Sequence, residues 1–466
     1  MSMWDEWERN IENSVATNNI PGLAAGVAKE GQVLIQQGYG FRDREHKLTA
    51  TAHTTFGIAS ITKTFTALAI MMLQEEGRLS IDDPVTKWLP ALRLPRQYAN
   101  HIQIRHLLNH TSGLPNLALY YRMMVNSLRQ DNEYRKSERL PFNPFRVEQI
   151  SSMDQFIDLF NESVKEWFGP PGINYSYSNE GYMFLDEIVS RASGQPYIEY
   201  VMQRIVQPLG MSDTTFHFGS PEIAEPSAVY YSYPHRDWRR PLHKENIIKR
   251  GESPISSGPV YGHGHLLSSA ADLLTFSELF YEGGTARGVR LVSSQAIHEM
   301  IRGKLGLSTQ KWHNGMTLVG HSGGQKGISS DIYIAVEAKV AAVAIANIAR
   351  APVWDVTLNG VNAALGRPLF DLPVERKPVL DTELLTERIV GEYSCPRIGK
   401  VHIDSKQSGL VAKVKGMKGL ILPKFAVQVD ENASLRLGRF PAAIIFNESK
   451  EVLGFSIGPG YYFTRR

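Results

Sequence analysis

Two short segments of the sequence place a serine where it could act as a nucleophile. In residues 320–324, GHSGG, Ser322 fits the pattern G-x-S-x-G, in which a serine occupies a sharp turn between a strand and a helix. In residues 59–65, ASITKTF, Ser60 is followed three residues later by Lys63. A serine hydroxyl is a weak nucleophile and needs an adjacent base. The two segments therefore predict different catalytic serines and different folds.

The surroundings of Ser322 do not suit the G-x-S-x-G turn. That turn leads into a helix, whereas residues 323–336, GGQKGISSDIYIAV, are rich in glycine and then have the pattern of a strand. Enzymes with this turn, the α/β-hydrolases, also place an acid and then a histidine later in the chain. The only histidine after Ser322 is His402, in a C-terminal region of short strands. We therefore predict that Ser322 is not the nucleophile.

Ser60 stands at the start of a predicted helix. Apolar residues recur at helical spacing through residues 61–76, and Lys63 lies one turn from Ser60 on the same face. A lysine acts as a base only if burial or a neighbouring cation lowers its pKa. The helix N-terminus would add a main-chain N–H for an oxyanion. Alone this signal is weak, because S-x-x-K arises by chance about once or twice in a chain of this size and a serine near a helix start is usually a cap.

Composition excludes several classes of partner. The net charge of +3 over 466 residues is too small to indicate a nucleic-acid partner. Cys395 is the single cysteine, so an intramolecular disulfide is excluded and no oxidising compartment is required. The longest apolar run, VAAVAIANIA, is too short to cross a bilayer, so no membrane is expected. The acidic N-terminal segment MSMWDEWERNIENSV lacks the pattern of a signal peptide and instead indicates an amphipathic helix. We therefore expect a cytoplasmic location, although a trimmed leader would leave no trace.

Strands near residues 22–40 and 316–348 enclose a mostly helical middle. The first pair forms a predicted hairpin around a Lys-Glu-Gly turn, and the second set contains three predicted strands. Helices are predicted at 61–76, 102–109, 153–167, 181–193, 197–207 and 270–282. This order indicates an α+β fold, with an antiparallel sheet built from both sets of strands.

The pattern changes near residue 381. Eight short strand candidates, separated by Gly, Asn, Asp and Ser, follow from there to the end and indicate a small all-β sandwich or barrel. Residues 366–380 contain three prolines and suit a linker. We therefore predict a first domain at 1–365 with the candidate catalytic residues, a linker at 366–380 and a barrel-like domain at 381–466.

Three motifs in fixed order carry a family resemblance. The S-x-x-K of residues 60–63 is followed by Y-S-N at 177–179 and by H-S-G at 321–323. The chain thereby resembles the serine β-lactamase and penicillin-binding-protein superfamily, in particular its class C-like branch of esterases and D-amino-acid peptidases. The matching segments lie within about residues 15–360 and include FGIASITKTFTA, LLNHTSGLP, YSYSNEGYMFLDEIVSRASGQPY, HGHLLSSAADLLTF and GHSGGQKG. The resemblance implies an antiparallel sheet flanked by helices, plus a helical subdomain.

The resemblance also implies roles for the residues of the first two motifs. Ser60 would be the acylated nucleophile and Lys63 its base or proton partner. Tyr177 would be a second acid/base group, able to give a proton to the leaving atom. Asn179 would hydrogen-bond Lys63 or a substrate amide.

The third motif would line the same site. The resemblance implies that His321 lies on an edge strand, that Ser322 is oriented by it, and that Gly323 completes the H-x-G element. The oxyanion hole would consist of the main-chain N–H groups of Ser60 and Gly324. The segment GHSGG thus belongs to the predicted active site, but not as its nucleophile.

No metal or cofactor is expected. His263 and His265 in YGHGHLL could form a metal pair, yet no carboxylate or further histidine stands at ligand spacing, which favours a glycine-rich loop near the site.

Substrate class follows from one departure from the family pattern. Related lactamases and transpeptidases usually have lysine at the position of His321, and histidine lacks a fixed charge for a substrate carboxylate at pH 7. We therefore rank an amidase or peptidase on small peptides first, D-configured peptides included, a carboxylesterase second and a β-lactamase third. The C-terminal domain resembles the lipocalin-like domains of several such peptidases. An inactive binding protein with the same fold is the non-enzyme alternative, and homo-oligomerisation is left open.

Overall fold

The computed structural model describes residues 2–130, 142–164, 167, 169–217, 227–232, 249–250, 259–312, 315–371, 387–395, 399–406, 409–416, 425–429, 435–437, 440–446, 451–457 and 462–465. Within these ranges the α-helices are α1 (Met3–Thr17), α2 (Thr62–Glu75), α3 (Val85–Trp88), α4 (Ile104–Leu108), α5 (Tyr120–Met123), α6 (Val125–Gln130), α7 (Met153–Ser163), α8 (Asn179–Ser193), α9 (Tyr197–Val201), α10 (Ala270–Tyr281), α11 (Ser294–Gly303) and α12 (Val353–Ala364). A 3₁₀ turn at Ala59–Ile61 leads into α2, and a π-helix at Met202–Val206 follows α9 directly.

A seven-stranded antiparallel sheet forms the centre of the N-terminal region. The strands before residue 350 are β1 (Gly22–Lys29), β2 (Gln32–Asp43), β3 (Leu48–Thr49), β4 (Phe56–Gly57), β5 (Tyr231–Ser232), β6 (Lys249–Arg250), β7 (Leu267–Ser268), β8 (Thr285–Ala286), β9 (Val289–Arg290), β10 (Ser308–Lys311), β11 (Thr317–Gln325), β12 (Ile328–Ala335) and β13 (Val340–Ala346). The order across the sheet is β10-β11-β12-β13-β1-β2-β3. Because β1 pairs with β13, the two ends of this region meet in one sheet, as the sequence predicts.

Side chains of β13 alternate between two hydrophobic clusters, as the pleat of a strand requires. Val343 and Ile345 belong to the larger cluster, which also contains buried residues of α2 and α10. Ala342 and Ala344 belong to a second cluster formed with α1 and α12. The sheet is therefore covered by helices on both faces.

The first helix is fixed to this second cluster. Trp7 and Ile11 are buried, and Trp7 Nε1 donates a hydrogen bond to the main-chain oxygen of Val356 at 3.0 Å. The amphipathic helix predicted from the N-terminal sequence is confirmed.

Two predicted helix ends differ from the structure by more than two residues. The helix expected at 153–167 ends at Ser163, because Val164 takes an extended conformation with φ −72° and ψ 120°. The helix expected at 197–207 is α-helical only to Val201 and continues as the π-helix.

The C-terminal region is built from short antiparallel strands. They are β14 (Gly391–Cys395), β15 (Gly399–Lys406), β16 (Gly409–Gly416), β17 (Phe425–Val429), β18 (Leu435–Leu437), β19 (Phe440–Phe446), β20 (Val452–Ile457) and β21 (Tyr462–Arg465). They pair in sequence order, and β21 returns to pair with β14, so the ring is closed. Of the predicted linker, residues 372–380 lie outside the described residues.

No helix among the residues described is long and apolar enough to span a membrane.

Candidate active site

Ser60 lies in the short connection between β4 and α2. The residue before it, Ala59, has φ 44°, a left-handed conformation that costs a non-glycine residue about 1–3 kcal/mol. Two hydrogen bonds on Ile58 hold this backbone: its N–H donates to Leu266 O at 3.0 Å, and its carbonyl accepts from Ser330 Oγ at 2.7 Å. The strained turn thereby fixes Ser60 at the start of the helix.

Lys63 is fully buried beside Ser60. Its Nζ lies 3.0 Å from Ser60 Oγ and 2.9 Å from Asn179 Oδ1, and it also bonds to the main-chain oxygen of His263. Burial lowers the pKa of Lys63 to about 7, although the carboxylate of Glu180 acts in the opposite direction. A large fraction of Lys63 is therefore a neutral amine at neutral pH, as a base for Ser60 requires.

Tyr177 contacts the same hydroxyl from the other side. Its Oη donates to Ser60 Oγ at 2.9 Å. Ser178 caps α8 by accepting from Gly181 N at 3.2 Å, so the helix start sets the positions of both Tyr177 and Asn179. Burial raises the pKa of Tyr177 well above its usual value. The phenol therefore keeps its proton and can act as an acid.

His110 packs on Tyr177, a contact that the motif analysis did not assign. The ring centroids are 4.2 Å apart, and His110 Nδ1 accepts from Ser178 N at 3.2 Å. Burial lowers the pKa of His110 well below its usual value, so the ring is neutral. The segment LLNHTSGLP, one of those that carry the family resemblance, contains this histidine and is the sequence signal that points to it.

The C-terminal end of β11 extends beyond β10, the strand that pairs with it at the edge of the sheet. β10 pairs only with residues 317–320, so His321–Gln325 lacks a strand partner there among the described residues. This agrees with the expected position of His321 on an edge. The rings of His321 and Tyr177 lie 6.5 Å apart between centroids, and burial together with Lys63 lowers the pKa of His321 to about 4.

The expected orientation of Ser322 by His321 is wrong. Ser322 Oγ donates to Asp331 Oδ1 at 2.5 Å, whereas the His321 ring contacts only the main-chain oxygen of Ser322. Successive side chains of a strand point to opposite faces, so the hydroxyl of residue 322 is directed away from the face that carries residue 321. Asp331 is fully buried, and this burial raises the pKa of its carboxyl to about 7.

The two glycines after Ser322 differ in their surroundings. A Cβ at Gly323 would overlap Ser330 Oγ and Ile58 O and lie 3.1 Å from Ser60 N, so only glycine lets β11 approach the nucleophile this closely. At Gly324 a Cβ would meet nothing within 4 Å, because this residue faces an open cavity.

That cavity has a volume of about 270 Å³ and contains Ser60, Asn179 and Gly324 in its wall. The wall also includes His263, whose glycine-rich loop is expected near the site, and residues that the sequence analysis missed: Tyr120, Tyr121, Met124, Lys326 and Arg350. Lys326 is buried, with its Nζ 3.3 Å from Ser127 Oγ. Two basic side chains outside the H-x-G element, Lys326 and Arg350, therefore lie in the cavity wall.

His263 and His265 are both buried, with ring centroids 4.6 Å apart. Burial lowers the pKa of both, that of His265 to about 4. Among the residues that the structure describes, no three His, Cys, Asp or Glu side chains are grouped to hold a metal ion.

The structure thus brings Ser60, Lys63, Tyr177 and Asn179 into direct contact and places Gly324 on the same cavity. His321 lies beside this group, whereas the side chain of Ser322 does not reach it.

Comparisons with known proteins agree with this arrangement. A family model described as Beta-lactamase matches residues 7–357. The chain is similar to a penicillin-binding protein of Bacillus subtilis (strain 168), with 26% identity over 418 residues that cover 85% of this chain and 84% of that protein. It is similar to the solved structure of an octameric penicillin-binding protein homologue from Pyrococcus abyssi, with 26% identity, a TM-score of 0.67 and 99% of both chains covered. Its fold is also similar to that of a D-amino acid amidase from Ochrobactrum anthropi SV3, with 22% identity, a TM-score of 0.58, and 78% of this chain and 97% of that one covered.

Proposed function

Because the chain belongs to the beta-lactamase family of serine hydrolases, we propose that it hydrolyses small amides or peptides through an acyl-enzyme on Ser60. The observation that carries this proposal is the position of Ser60 Oγ, 3.0 Å from Lys63 Nζ and 2.9 Å from Tyr177 Oη. One hydroxyl thus contacts a base that is partly neutral and a phenol that stays protonated.

Acylation uses these groups in turn. Neutral Lys63 accepts the proton of Ser60 Oγ while that oxygen bonds to the substrate carbonyl carbon. The carbonyl oxygen becomes an oxyanion facing the N–H groups of Ser60 and Gly324. When the C–N bond breaks, Tyr177 gives its proton to the leaving nitrogen, and the Lys63 ammonium returns a proton to the phenol.

Deacylation reverses the sequence with water in place of the amine. Water attacks the acyl carbonyl and loses a proton to the Lys63–Tyr177 pair. Ser60 Oγ regains a proton as the acid leaves.

Labelling with a fluorophosphonate tests the nucleophile. We expect an adduct on the peptide that contains Ser60 and none in Ser60→Ala. Ser322→Ala is the matched control, because its hydroxyl bonds to Asp331 and not to the site, so it should still be labelled. An adduct on Ser322, or no adduct in the unaltered protein, would contradict the proposal; the latter would favour the inactive binding protein.

The substrate class is proposed from the cavity and from the relatives. A volume of about 270 Å³ suits a small peptide or amide, and a structural relative is named a D-amino acid amidase. A panel of D- and L-aminoacyl anilides, short acyl esters and a chromogenic cephalosporin separates the candidates. We expect the amides to turn over fastest; faster ester hydrolysis would indicate a carboxylesterase, and efficient cephalosporin hydrolysis a β-lactamase.

Four further expectations stay predictions. The closed set of C-terminal strands supports a separate domain at 381–466, and its lipocalin-like character is a proposal that rests on resemblance. The octameric relative supports a homo-oligomer, and a cytoplasmic location rests on the N-terminal sequence alone.

A further inference from the structure

A main-chain turn that belongs to none of the three motifs holds the candidate base. This turn, residues 261–266, has the sequence YGHGHL. Three side chains of α2 bond to its main chain: Thr62 to Leu266 N, Lys63 to His263 O and Thr66 to Gly262 O. The turn is therefore attached along the face of α2 that carries the base.

The opposite side of the turn is held by a buried carboxylate on α8. Asp186 is 4% exposed, and its Oδ2 accepts from Tyr261 N at 2.7 Å and from Gly262 N at 2.8 Å. The same helix carries Asn179, which contacts Lys63 directly. We propose that Asp186 is a positioning residue for the catalytic base: by holding the N–H groups of residues 261 and 262, it keeps the His263 carbonyl against Lys63 Nζ.

The turn has little room to move in this position. A Cβ at Gly262 would lie 3.1 Å from Thr66 Oγ1, 3.2 Å from Asp186 Cβ and 3.2 Å from Tyr197 Cζ. The main chain is thus confined between α2, α8 and α9, and a displacement at residue 262 is passed on to the next carbonyl.

The His263 carbonyl matters because it directs the lone pair of Lys63. A neutral amine has two N–H groups and one lone pair. Asn179 Oδ1 and His263 O can only accept, so together they use both N–H groups and leave the lone pair for the Ser60 hydroxyl. Without the fixed carbonyl, one N–H of Lys63 is free to turn toward Ser60, and the lone pair then no longer points at the Ser60 hydroxyl. This inference rests on the proposed function of Lys63.

Several titratable and aromatic groups face Lys63, and those that carry charge contribute to its pKa. Glu180 raises its pKa, and the rings of Tyr177 and Tyr182 lie 5.1 and 5.5 Å from its Nζ. The surrounding histidines have lowered pKa values and stay neutral near pH 7: His110, His263, His265 and His321. Burial raises the pKa of Asp186 to about 7, and its Oδ2 can accept in either protonation state.

The test combines two measurements on the full chain. The rate of fluorophosphonate labelling is followed against pH, and the pKa of Lys63 is followed by NMR of ¹³C-lysine protein, with Lys63→Met to assign the signal. In Asp186→Ala we expect labelling about 10²-fold slower, the effect of misplacing a catalytic group by about 1 Å. The pKa of Lys63 should fall, because the ammonium loses a carbonyl partner. Asp186→Asn, which keeps an accepting oxygen, should restore most of the rate.

Matched variants separate positioning from stability. Asp272 is also buried and accepts from a main-chain N–H, that of Asp213 at 2.8 Å, but among the described residues its hydrogen bonds are not to the turn. Asp272→Ala should lower the melting temperature without shifting the pKa of Lys63. Gly262→Ala displaces the turn without removing Asp186 and should slow labelling even if Asp186→Ala fails to fold.

An unshifted or raised pKa of Lys63 in both Asp186→Ala and Gly262→Ala would overturn the proposal, whatever the labelling rate. If the unaltered protein is not labelled, the proposed function fails, and the titration of Lys63 still decides the role of Asp186.

Discussion

Lys63 and His321 lose their protons in different pH ranges, and only one of them can set the acid limit of activity. Burial brings the pKa of Lys63 down to about 7 and that of His321 to about 4. Because the base must be neutral, kcat/KM should rise about tenfold per pH unit below pH 7 and level off above it. An acid limit near pH 6 from His321, which the unperturbed pKa of histidine would suggest, is not expected. A pH–rate profile on the best substrate of the panel measures this limit.

His321→Gln provides the control for that profile. The variant should keep the limit near pH 7, although its rate can be lower throughout. Loss of the limit in this variant would assign it to the histidine and contradict the role given to Lys63.

Tyr177 supplies a hydroxyl whose removal leaves the ring and its packing on His110 intact. Tyr177→Phe should lower kcat for amides by about 10²–10⁴-fold, the usual effect of losing general acid catalysis. Tyr175→Phe is the matched control, since residue 175 is 61% exposed and its hydroxyl has no role in the proposed steps. Esters with a good leaving group need less protonation, so their rates should fall less. Equal rates for Tyr177→Phe and the control would remove this tyrosine from the mechanism.

At the scale of single residues, side-chain motifs predicted the contacts of Ser60, but not the groups around them. The sequence placed Lys63, Tyr177 and Asn179 at one site, and the structure brings them into contact. The carbonyl of His263 could not be found in this way, because every residue has a carbonyl and only the fold directs one at Lys63. Asp331 was missed because strand pairing, and not sequence distance, places it opposite Ser322.

At the scale of elements, the close approach of β11 to the turn before α2 depends on one glycine. In Gly323→Ala the new Cβ would overlap Ser330 Oγ and Ile58 O, so the strand must move away from Ser60. We expect a loss of about 1–3 kcal/mol in the free energy of unfolding, as for other overpacked sites, together with slower labelling. Chemical denaturation and the labelling rate measure the two effects.

Gly324→Ala is the matched variant, because nothing lies within 4 Å of its Cβ. Its stability should be unchanged, while substrate binding changes because the methyl group enters the cavity. Equal stability of the two variants would contradict the account of β11.

Elements were predictable where their apolar residues followed one regular period. The apolar stripe of residues 61–76 predicted α2, and the paired strands at both ends predicted the sheet. Helix α12, VWDVTLNGVNAA, was not predicted, because it contains a glycine and β-branched residues that disfavour helix. A Cβ at Gly360 would lie 2.7 Å from Val27 Cγ2, so close packing of the helix on β1 requires the glycine despite its helix propensity.

At the scale of the whole molecule, basic side chains in the cavity wall change the expected selectivity among substrates. His321 provides no fixed cation, yet Lys326 and Arg350 lie in the cavity wall. A charge-assisted hydrogen bond contributes about 1.5–3 kcal/mol. Lys326→Met should therefore lower kcat/KM about 10–100-fold for an amide that carries a carboxylate, and little for the same amide with that group esterified. Lys304→Met, at an exposed position, is the control. An equal loss for both substrates would assign Lys326 to structure alone.

The C-terminal strands lie beyond every residue of the proposed mechanism, which suggests a role in assembly or in substrate access. The start of the predicted linker is attached to the first region: Leu369 is buried, and Asn362 Nδ2 donates to Leu369 O at 2.8 Å and to Asp371 O at 2.9 Å. Limited proteolysis should therefore cut first within residues 372–380, LPVERKPVL, where two prolines flank a charged run, and not within 366–371. A protein truncated after Asp371 should keep fluorophosphonate labelling of Ser60, since the contacts of that serine come from residues before 332. We expect its mass by light scattering or its ranking of the substrate panel to differ from that of the full chain. An unchanged mass together with an unchanged ranking would leave the C-terminal strands without a part in either assembly or access.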